Sequence, residues 1–221
     1  MQETASLSFF GGKALNYIDM PVSEFTAALA SSSPAPGGGG ASALAAALGA
    51  SLGCMVGELT VGKPKYAANE PRLRELIAEA QSLRERLLTL VDADAEAFLP
   101  LAEAYRLPKD APDRGAVMEK CLADAAAVPM EILELSCRVI ALQEEFAALG
   151  SSLAVSDAGT GAVFAWAAMY GAALNVLANT RLMADRERAE DMNRRVNELM
   201  QEYWVKADRV YGDIFAKLSD K

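Results

Sequence analysis

Residues 71–105 read PRLRELIAEAQSLRERLLTLVDADAEAFLPLAEAY, and this stretch decides the fold. Its apolar side chains recur every three or four positions, which is the spacing of one face of an α-helix, so we expect a single long amphipathic helix. A helix with one apolar face buries that face against neighbouring elements. The predicted stripe consists of Leu73, Leu76, Ala80, Leu83, Leu87, Val91, Phe98, Leu101 and Tyr105.

One carboxylate lies on this apolar stripe. At about 100° per residue, Asp94 falls within about 20° of the centre of the stripe, whereas Asp92 and Glu96 fall about 140° from it. The pattern therefore predicts that Asp92 is solvated and that Asp94 points towards whatever packs against the helix. A buried carboxylate is costly unless it is paired or used, so Asp94 is either a structural ion-pair partner or a functional group.

Composition narrows the classes of function. The chain has 221 residues, of which 52% are hydrophobic, and this suits one domain with a substantial core. Its net charge of −9 argues against a nucleic-acid partner. The chain has no histidine, so any proton transfer must use other groups. The three cysteines lack the spacing of a disulfide framework or a zinc site, and no metal site is predicted.

Two further segments are nearly uncharged and rich in small residues. Residues 41–59 repeat Ala or Gly at every fourth position, which gives a flat face for close helix packing. A membrane span is a weaker interpretation, because the run is short and weakly apolar for a bilayer. We therefore predict a helix buried in a bundle or a dimer seam. A similar run follows Ser156, which we predict to be an N-cap, and continues to Thr180.

The remaining segments also favour helices. Residues 115–128 and 129–149 predict two amphipathic helices, the second started or kinked by Pro129. Ser23 predicts the N-cap of a short helix through Ala30, and residues 181–218 predict a long charged helix.

The predicted fold class is all-α: a helical bundle of long amphipathic helices and buried helices rich in small residues, since no segment alternates with period two for long. Residues 1–20 are predicted to be an irregular N-terminal arm whose Leu7, Phe9 and Phe10 dock on the body or on a second subunit. Residues 21–221 are predicted to form the helical domain. The N-terminus lacks the pattern of a secretory signal, so we expect a cytoplasmic protein without a membrane anchor.

A glycine-rich loop precedes the first small-residue helix. Residues 31–40, SSSPAPGGGG, are predicted to be irregular. The loop lacks the Lys-Ser/Thr of a phosphate-binding P-loop and the preceding strand of a dinucleotide-binding turn. Two interpretations remain: an anion- or carbonyl-binding turn at a helix N-terminus, or a helix start that needs glycine for close packing.

Other polar residues lie between or within the apolar segments. Lys63, Lys65 and Tyr66 form a local basic cluster in an acidic chain, which is either solvated or a partner for an anionic ligand group. Asn175 and Asn179 lie one helical turn apart in a run that Asp157 opens. Buried amides need partners, so they either tie helices together or line a polar pocket.

These motifs, in this order, resemble the cyclodeaminase domain of the formiminotransferase-cyclodeaminase family. The resemblance covers about residues 22–218 and does not include the transferase half. The Gly150-Ser151 pair, where relatives often have Gly-Asn, and Gly40, where they often have Ser, depart from the pattern and put substrate preference in doubt. The matching segments are SPAPGGGGASALAAALGASLGCMVGELTVGKPKY at 33–66, LVDADAEAF at 90–98, LPK at 107–109, AVP at 127–129, SDAG at 156–159 and NVLANT at 175–180.

The resemblance implies an all-helical homodimer that acts on a tetrahydrofolate derivative carrying a one-carbon unit, with no prosthetic group or metal. It implies that Asp94, the second aspartate of the DADA element, is the proton acceptor. The folate carboxylates would then contact Lys63 and Lys65, with Tyr66 beside them. The glycine turn and Ser42 would supply further donors. The remaining predicted binding residues are Gly37, Gly38 and Gly39 for the turn, and Asp157, Asn175 and Asn179 for the pterin ring.

Two enzymatic activities and one non-enzymatic role remain open. The first is cyclodeamination of 5-formiminotetrahydrofolate to 5,10-methenyltetrahydrofolate and ammonia, and the second is hydrolysis of the methenyl compound in the same pocket. The third is a helical dimer that serves as a scaffold, in which Asp94 is only a structural ion-pair partner.

Overall fold

The structure is a computed structural model that describes residues 16–219. Within this range the chain forms six α-helices and three short 3₁₀-helices, and no β-strand. The 3₁₀-helices are Tyr17–Asp19, Pro64–Asn69 and Ser152–Ala154. The α-helices are α1 Val22–Leu29, α2 Gly38–Glu58, α3 Glu70–Ala104, α4 Arg114–Leu149, α5 Val155–Thr180 and α6 Arg186–Ser219. The all-α prediction is confirmed.

Helix α3 is the long amphipathic helix that its periodicity predicts. It begins at Glu70 with Pro71 in its first turn, where the missing N–H of proline costs no hydrogen bond. The stripe is buried from Leu73 to Leu101, against α2 and α4, except that Leu83 and Phe98 are only partly buried. The prediction is wrong for Tyr105, which caps the C-terminus and is 46% exposed.

Small residues let α2 lie close to its neighbours in the core. A Cβ atom on Gly49 would lie 2.8 Å from the carbonyl oxygen of Gly161 in α5. The buried amide of Gln143, from α4, donates to the Gly49 carbonyl oxygen at 2.8 Å. Further along α2, a Cβ on Gly57 would lie 2.5 Å from the side chain of Ile77 in α3. The predicted flat face is therefore used against three different helices.

Gly49→Ala is expected to lower the free energy of unfolding by about 1–3 kcal/mol, the usual cost of overpacking a dense core. The neighbour is backbone and cannot rotate away. The measurement is urea denaturation at one fixed protein concentration. Gly212→Ala is the matched control, because nothing lies within 4 Å of its Cβ position inside α6. This control should stabilise the helix by up to about 1 kcal/mol, and an equal loss in both variants would contradict the packing argument.

Several predicted boundaries are wrong for identifiable reasons. The short helix α1 begins at Val22 behind Pro21, so Ser23 is inside the helix and is not its N-cap. The 3₁₀-turn before α5 brings that helix start forward to Val155, so Ser156 is not an N-cap either. Residues 115–149 form one continuous helix, with Pro129 buried inside it, because tertiary packing compensates for the missing backbone hydrogen bond.

The N-terminal arm is only partly described. Leu7, Phe9 and Phe10 lie outside the described residues, whereas Tyr17–Asp19 form a 3₁₀-helix rather than irregular chain. The cysteines Cys54, Cys121 and Cys137 are free thiols. Two segments, α2 and Ser152–Thr180, are long and apolar enough to cross a membrane by length and composition alone. Of their most apolar windows, 61% and 44% are buried inside the protein, which fits the predicted role of core helices.

Candidate functional site

Asp94 of α3 lies against the N-terminus of α2. The backbone N–H of Gly40 donates to Asp94 Oδ2 at 2.9 Å. A Cβ atom on Gly39 would lie only 2.0 Å from Asp94 Oδ1, so no other residue fits there without moving the carboxylate. The glycine turn is thus in part helix: α2 begins at Gly38, and the predicted irregular loop 31–40 ends three residues too late. Glycine is required here because the carboxylate occupies the space of a side chain.

The surroundings of Asp94 make its carboxylate a stronger base than usual. Burial raises the pKa of Asp94, and the hydrogen bond from Gly40 opposes this in part. Within residues 16–219, no arginine or lysine forms an ion pair with Asp94. A structural ion pair therefore does not explain its place on the apolar stripe.

Asn175 and Ser42 lie beside the same helix start. The Asn175 amide donates to the carbonyl oxygen of Gly171 at 2.8 Å, and its Nδ2 lies 3.0 Å from the Cβ position of Gly38. Ser42 is buried, and its hydroxyl donates to the Gly38 carbonyl oxygen at 2.7 Å. These contacts bring Gly38, Gly39, Ser42, Asn175 and Asp94 together, as the sequence predicts. Gly37 is the residue before the helix, in extended conformation.

Asn179 forms a hydrogen bond between two helices. Its amide donates to the carbonyl oxygens of Ala125 and Asn175, both at 3.0 Å. The residue therefore ties α5 to α4, which is one of the two alternatives that the sequence leaves open. Its role as a contact for the pterin ring stays a prediction.

The prediction that Asp92 is solvated is wrong. Its Oδ1 accepts the backbone N–H of Tyr17 at 2.6 Å, and burial raises the pKa of this carboxyl. The Tyr17 hydroxyl in turn donates to the carbonyl oxygen of Ala35 at 3.1 Å. Sequence reasoning missed Tyr17, because a helical wheel gives no signal for a contact outside the main packing face of α3. It missed Gly40, because the wheel does not identify which residue a packed side chain contacts.

A second group of predicted residues lies at the other end of α2. Lys65 and Tyr66 line a cavity of about 430 Å³ together with Ser152 and Lys217. The backbone N–H of Ser152 donates to the Tyr66 hydroxyl at 3.2 Å, and this bond, with weaker contributions from the side chains of Ser152, Ser151 and Lys65, lowers the pKa of Tyr66 to about 8. The Lys65 ammonium lies 5.3 Å from the centroid of the Tyr66 ring. Lys65 and Lys217 thus place two cationic side chains at this cavity, which suits an anionic group.

Helix lengths separate the two groups within one chain. At 1.5 Å per residue, the rise from Gly38 to Glu58 is about 30 Å, and Lys63 follows beyond that end. Asp157 and Asn175 are likewise about 27 Å apart along α5. One chain therefore does not bring Lys63, Lys65, Tyr66 and Asp157 next to Asp94. The prediction that all of these residues line one pocket is wrong for a single chain. Among the described residues, no group of three His, Cys, Asp or Glu side chains could hold a metal ion.

Comparison with known proteins assigns the family. The sequence model described as formiminotransferase-cyclodeaminase matches residues 21–198. The chain belongs to this family. It is 36% identical over 202 residues to the methenyltetrahydrofolate cyclohydrolase of Methylorubrum extorquens, and the match covers 90% of this chain and 97% of that protein. It is 33% identical to the formimidoyltransferase-cyclodeaminase of Mus musculus, where the match covers 93% of this chain and 39% of the mouse protein.

The fold agrees with a solved member of the cyclodeaminase group. The crystal structure of formiminotetrahydrofolate cyclodeaminase from Thermotoga maritima matches with a TM-score of 0.84 and covers 90% of this chain and 98% of its own. At 24% sequence identity this likeness shows the fold alone. The family membership and the two named relatives place this chain among the folate one-carbon enzymes with cyclodeaminase or cyclohydrolase activity.

Proposed function

We propose that the chain forms or opens the one-carbon bridge between N5 and N10 of tetrahydrofolate, with Asp94 as the general base. The observation that carries this proposal is the Asp94 carboxylate: it is held by the Gly40 amide, has a pKa raised by burial and has no cationic partner among the described residues. A base of this kind can both accept a proton and stabilise a cation that forms beside it.

In the cyclodeaminase reaction, N10 attacks the formimino carbon on N5 and a tetrahedral intermediate forms. Asp94 accepts the N10 proton and returns a proton to the former imine nitrogen. The carbon–nitrogen bond then breaks, ammonia leaves and the cationic methenyl bridge remains. The negative charge of Asp94 stabilises both the amidinium substrate and the product cation, and the amide of Asn175 and the α2 N-terminus orient the ring.

Hydrolysis of the methenyl bridge is the second candidate. It is favoured by the match to the Methylorubrum protein, which is named a cyclohydrolase and which this chain covers almost completely. Asp94 would take a proton from the attacking water instead of from N10. Both reactions pass through a tetrahedral carbon at the same place, so the same residues serve both.

The deciding experiment uses two substrates in separate assays. The protein is incubated with 5-formiminotetrahydrofolate and, separately, with 5,10-methenyltetrahydrofolate, and the methenyl absorbance is followed. Faster appearance in the first assay supports the cyclodeaminase, and faster loss in the second supports the cyclohydrolase. If neither substrate reacts and no folate binds, the proposal is wrong and a scaffold role remains.

A homodimer would cover the apolar faces of α2 and α5. Each helix carries large apolar side chains that are exposed in a single chain, and the cytoplasmic dimer predicted from the sequence gives them a partner. These residues are Leu48 and Met55 on α2, Leu59 at its C-terminal cap, and Phe164, Tyr170, Leu174 and Leu177 on α5.

An antiparallel dimer would also complete the site. A two-fold axis across the middle of α2 places the Lys63 and Lys65 end of one copy beside the Asp94 end of the other. In each half of this dimer, the end that carries Asp19, Asp92 and Asp94 lies beside the lysine end of the other copy. A parallel dimer would instead place like charges next to each other. The folate carboxylates would contact Lys63, Lys65 and Tyr66 of the partner subunit.

The Lys63→Ala, Lys65→Ala double variant is expected to raise KM about 3- to 10-fold with a smaller change in kcat, because an exposed charge contact is worth about 1 kcal/mol and is similar in ground and transition states. The matched control is Lys120→Ala, which removes an exposed lysine paired with Asp124 on α4. A larger fall in kcat than in affinity would contradict a role in binding the tail.

Subunit mixing then tests the dimer. The Asp94→Asn variant and the double lysine variant are unfolded together, refolded as mixed dimers and assayed at low substrate. If the lysines act across the interface, a mixed dimer has one intact site, and its activity exceeds the average of the two parents. If the lysines act within their own chain, each site carries one defect, and the activity of the mixed dimer equals the average of the two parents.

A further inference from the structure

Two carboxylates that lie two residues apart on α3 each accept a backbone N–H from a different segment. Asp94 accepts the Gly40 N–H at the start of α2. Asp92 accepts the Tyr17 N–H at the start of the 3₁₀-helix Tyr17–Asp19. The same turn of α3 therefore anchors both the glycine turn and the segment that precedes α1.

The Tyr17 side chain connects these two anchors. Its hydroxyl donates to the Ala35 carbonyl oxygen at 3.1 Å, five residues before Gly40. Ser33 donates to the same oxygen at 2.6 Å, and Ala35 is only 3% exposed. A closed ring of contacts thus runs from Asp92 through Tyr17 and Ala35 to Gly40 and Asp94.

We propose that Tyr17 is a positioning residue that holds the glycine turn, and with it the Gly40 amide, over the Asp94 carboxylate. The proposal rests on Asp94 acting as the base of the proposed reaction. The hydrogen bonds of Tyr17 go to Asp92 and Ala35, whereas Asp94 accepts its hydrogen bond from Gly40. Tyr17 acts through the backbone of residues 35–40.

The geometry leaves little freedom in this arrangement. The Cα of Gly39 already approaches Asp94 so closely that a Cβ would overlap the carboxylate, so the turn cannot move towards α3. Movement away from α3 lengthens the 2.9 Å bond from Gly40, and a hydrogen bond weakens steeply beyond its normal distance. A displacement of about 1 Å near a reacting group can cost up to about 100-fold in rate.

Tyr17 is suited to this role by its surroundings. It is partly buried and packs against the core that contains Phe25 and Val91. Burial, and secondarily the charge of Asp92, raise the pKa of Tyr17, so the phenol keeps its proton and remains a donor. The residue is therefore held at both its backbone and its hydroxyl.

The test is Tyr17→Phe, which removes only the hydroxyl. We expect kcat to fall about 10-fold with a smaller change in KM, because positioning matters most in the transition state. We also expect the pKa of Asp94 to rise further, because the Gly40 bond that lowers it is weakened. This pKa is followed by NMR of ¹³C-carboxyl-labelled aspartate in the free protein, with the Asp94 signal assigned from its absence in Asp94→Asn.

The control is Tyr211→Phe, which removes an exposed hydroxyl from a ring stacked on Phe215 in α6. It should change neither kcat nor the Asp94 titration. Unchanged kcat and an unchanged Asp94 titration in Tyr17→Phe would overturn the proposal, as would a fall in kcat with no change in that titration. Ser33→Ala, which loosens the Ala35 carbonyl from the other side, should act in the same direction and replaces Tyr17→Phe if that variant does not fold.

The two proposals fail in different ways. If the wild-type protein turns over neither folate substrate, the proposed function is wrong. The Asp94 titration still decides whether Tyr17 holds the turn, because it needs no substrate.

Discussion

Asp94→Asn is expected to give a folded protein whose turnover is at least about 100-fold lower, the usual scale for a lost general base. Asparagine has nearly the same shape and keeps an oxygen that can accept the Gly40 N–H, but it cannot accept the N10 or water proton. Steady-state assays with both folate substrates measure the loss. Substrate binding should weaken less than turnover, because the ring contacts remain. Near-normal turnover would contradict the assignment of Asp94.

The stability of this variant follows from the direction of the pKa shift. Because burial raises the pKa of Asp94 in the folded state, the folded protein binds more protons than the unfolded chain between the two pKa values. The contribution of Asp94 to stability is therefore lost as pH rises through that window. At neutral pH the Asn variant should be at least as stable as the wild type. Asp213→Asn, an exposed position on α6, controls for general effects of the substitution.

The activity of the wild type should depend on pH in the opposite direction to this stability contribution. The general base must be deprotonated, so kcat/KM should rise with pH through the raised pKa of Asp94 and level off above it. The Asp94→Asn variant should lose this limb of the profile. If kcat/KM of the variant still rises with pH in this range, another group is responsible for that rise.

The helix pitch of residues 71–105 was sufficient to single out Asp94. A helical wheel gives the angular position of each side chain around the helix axis. Together with hydrophobicity, this position identifies the face of α3 that is buried in the core. The same wheel failed for Asp92, because the 3₁₀-helix at Tyr17–Asp19 packs on another side of α3. A short segment that precedes the domain in sequence leaves no periodic signal in the helix that it contacts.

Sequence patterns also could not tell which ends of the helices meet. Lys63, Lys65 and Asp157 have the right chemistry for a folate site, yet helix lengths separate them from Asp94 by about 30 Å in one chain. Proximity in this bundle depends on helix direction and, in the proposed dimer, on the partner copy, neither of which a local pattern encodes. Pro129 shows the same limit, because tertiary packing decided that α4 continues through it.

Gly39→Ala is expected to reduce turnover by about 100-fold or more, although alanine is a better helix former than glycine. The new Cβ would lie 2.0 Å from Asp94 Oδ1 and 2.4 Å from its Cγ, so the carboxylate must leave its place beside the Gly40 amide. Gly38→Ala is the graded comparison, because its Cβ would meet only the Asn175 amide at 3.0 Å. We expect a smaller loss there, and circular dichroism should show that both variants remain helical.

A double variant separates displacement of the base from damage to the fold. If Gly39→Ala acts by moving the Asp94 carboxylate, adding it to Asp94→Asn should cost little further activity, because the proton acceptor is already gone. If it acts by distorting the start of α2, the two losses should multiply. The contact between Gly39 and Asp94 predicts the first result, and strict multiplication of the two losses would mean that the glycine is needed for the helix and not for the base.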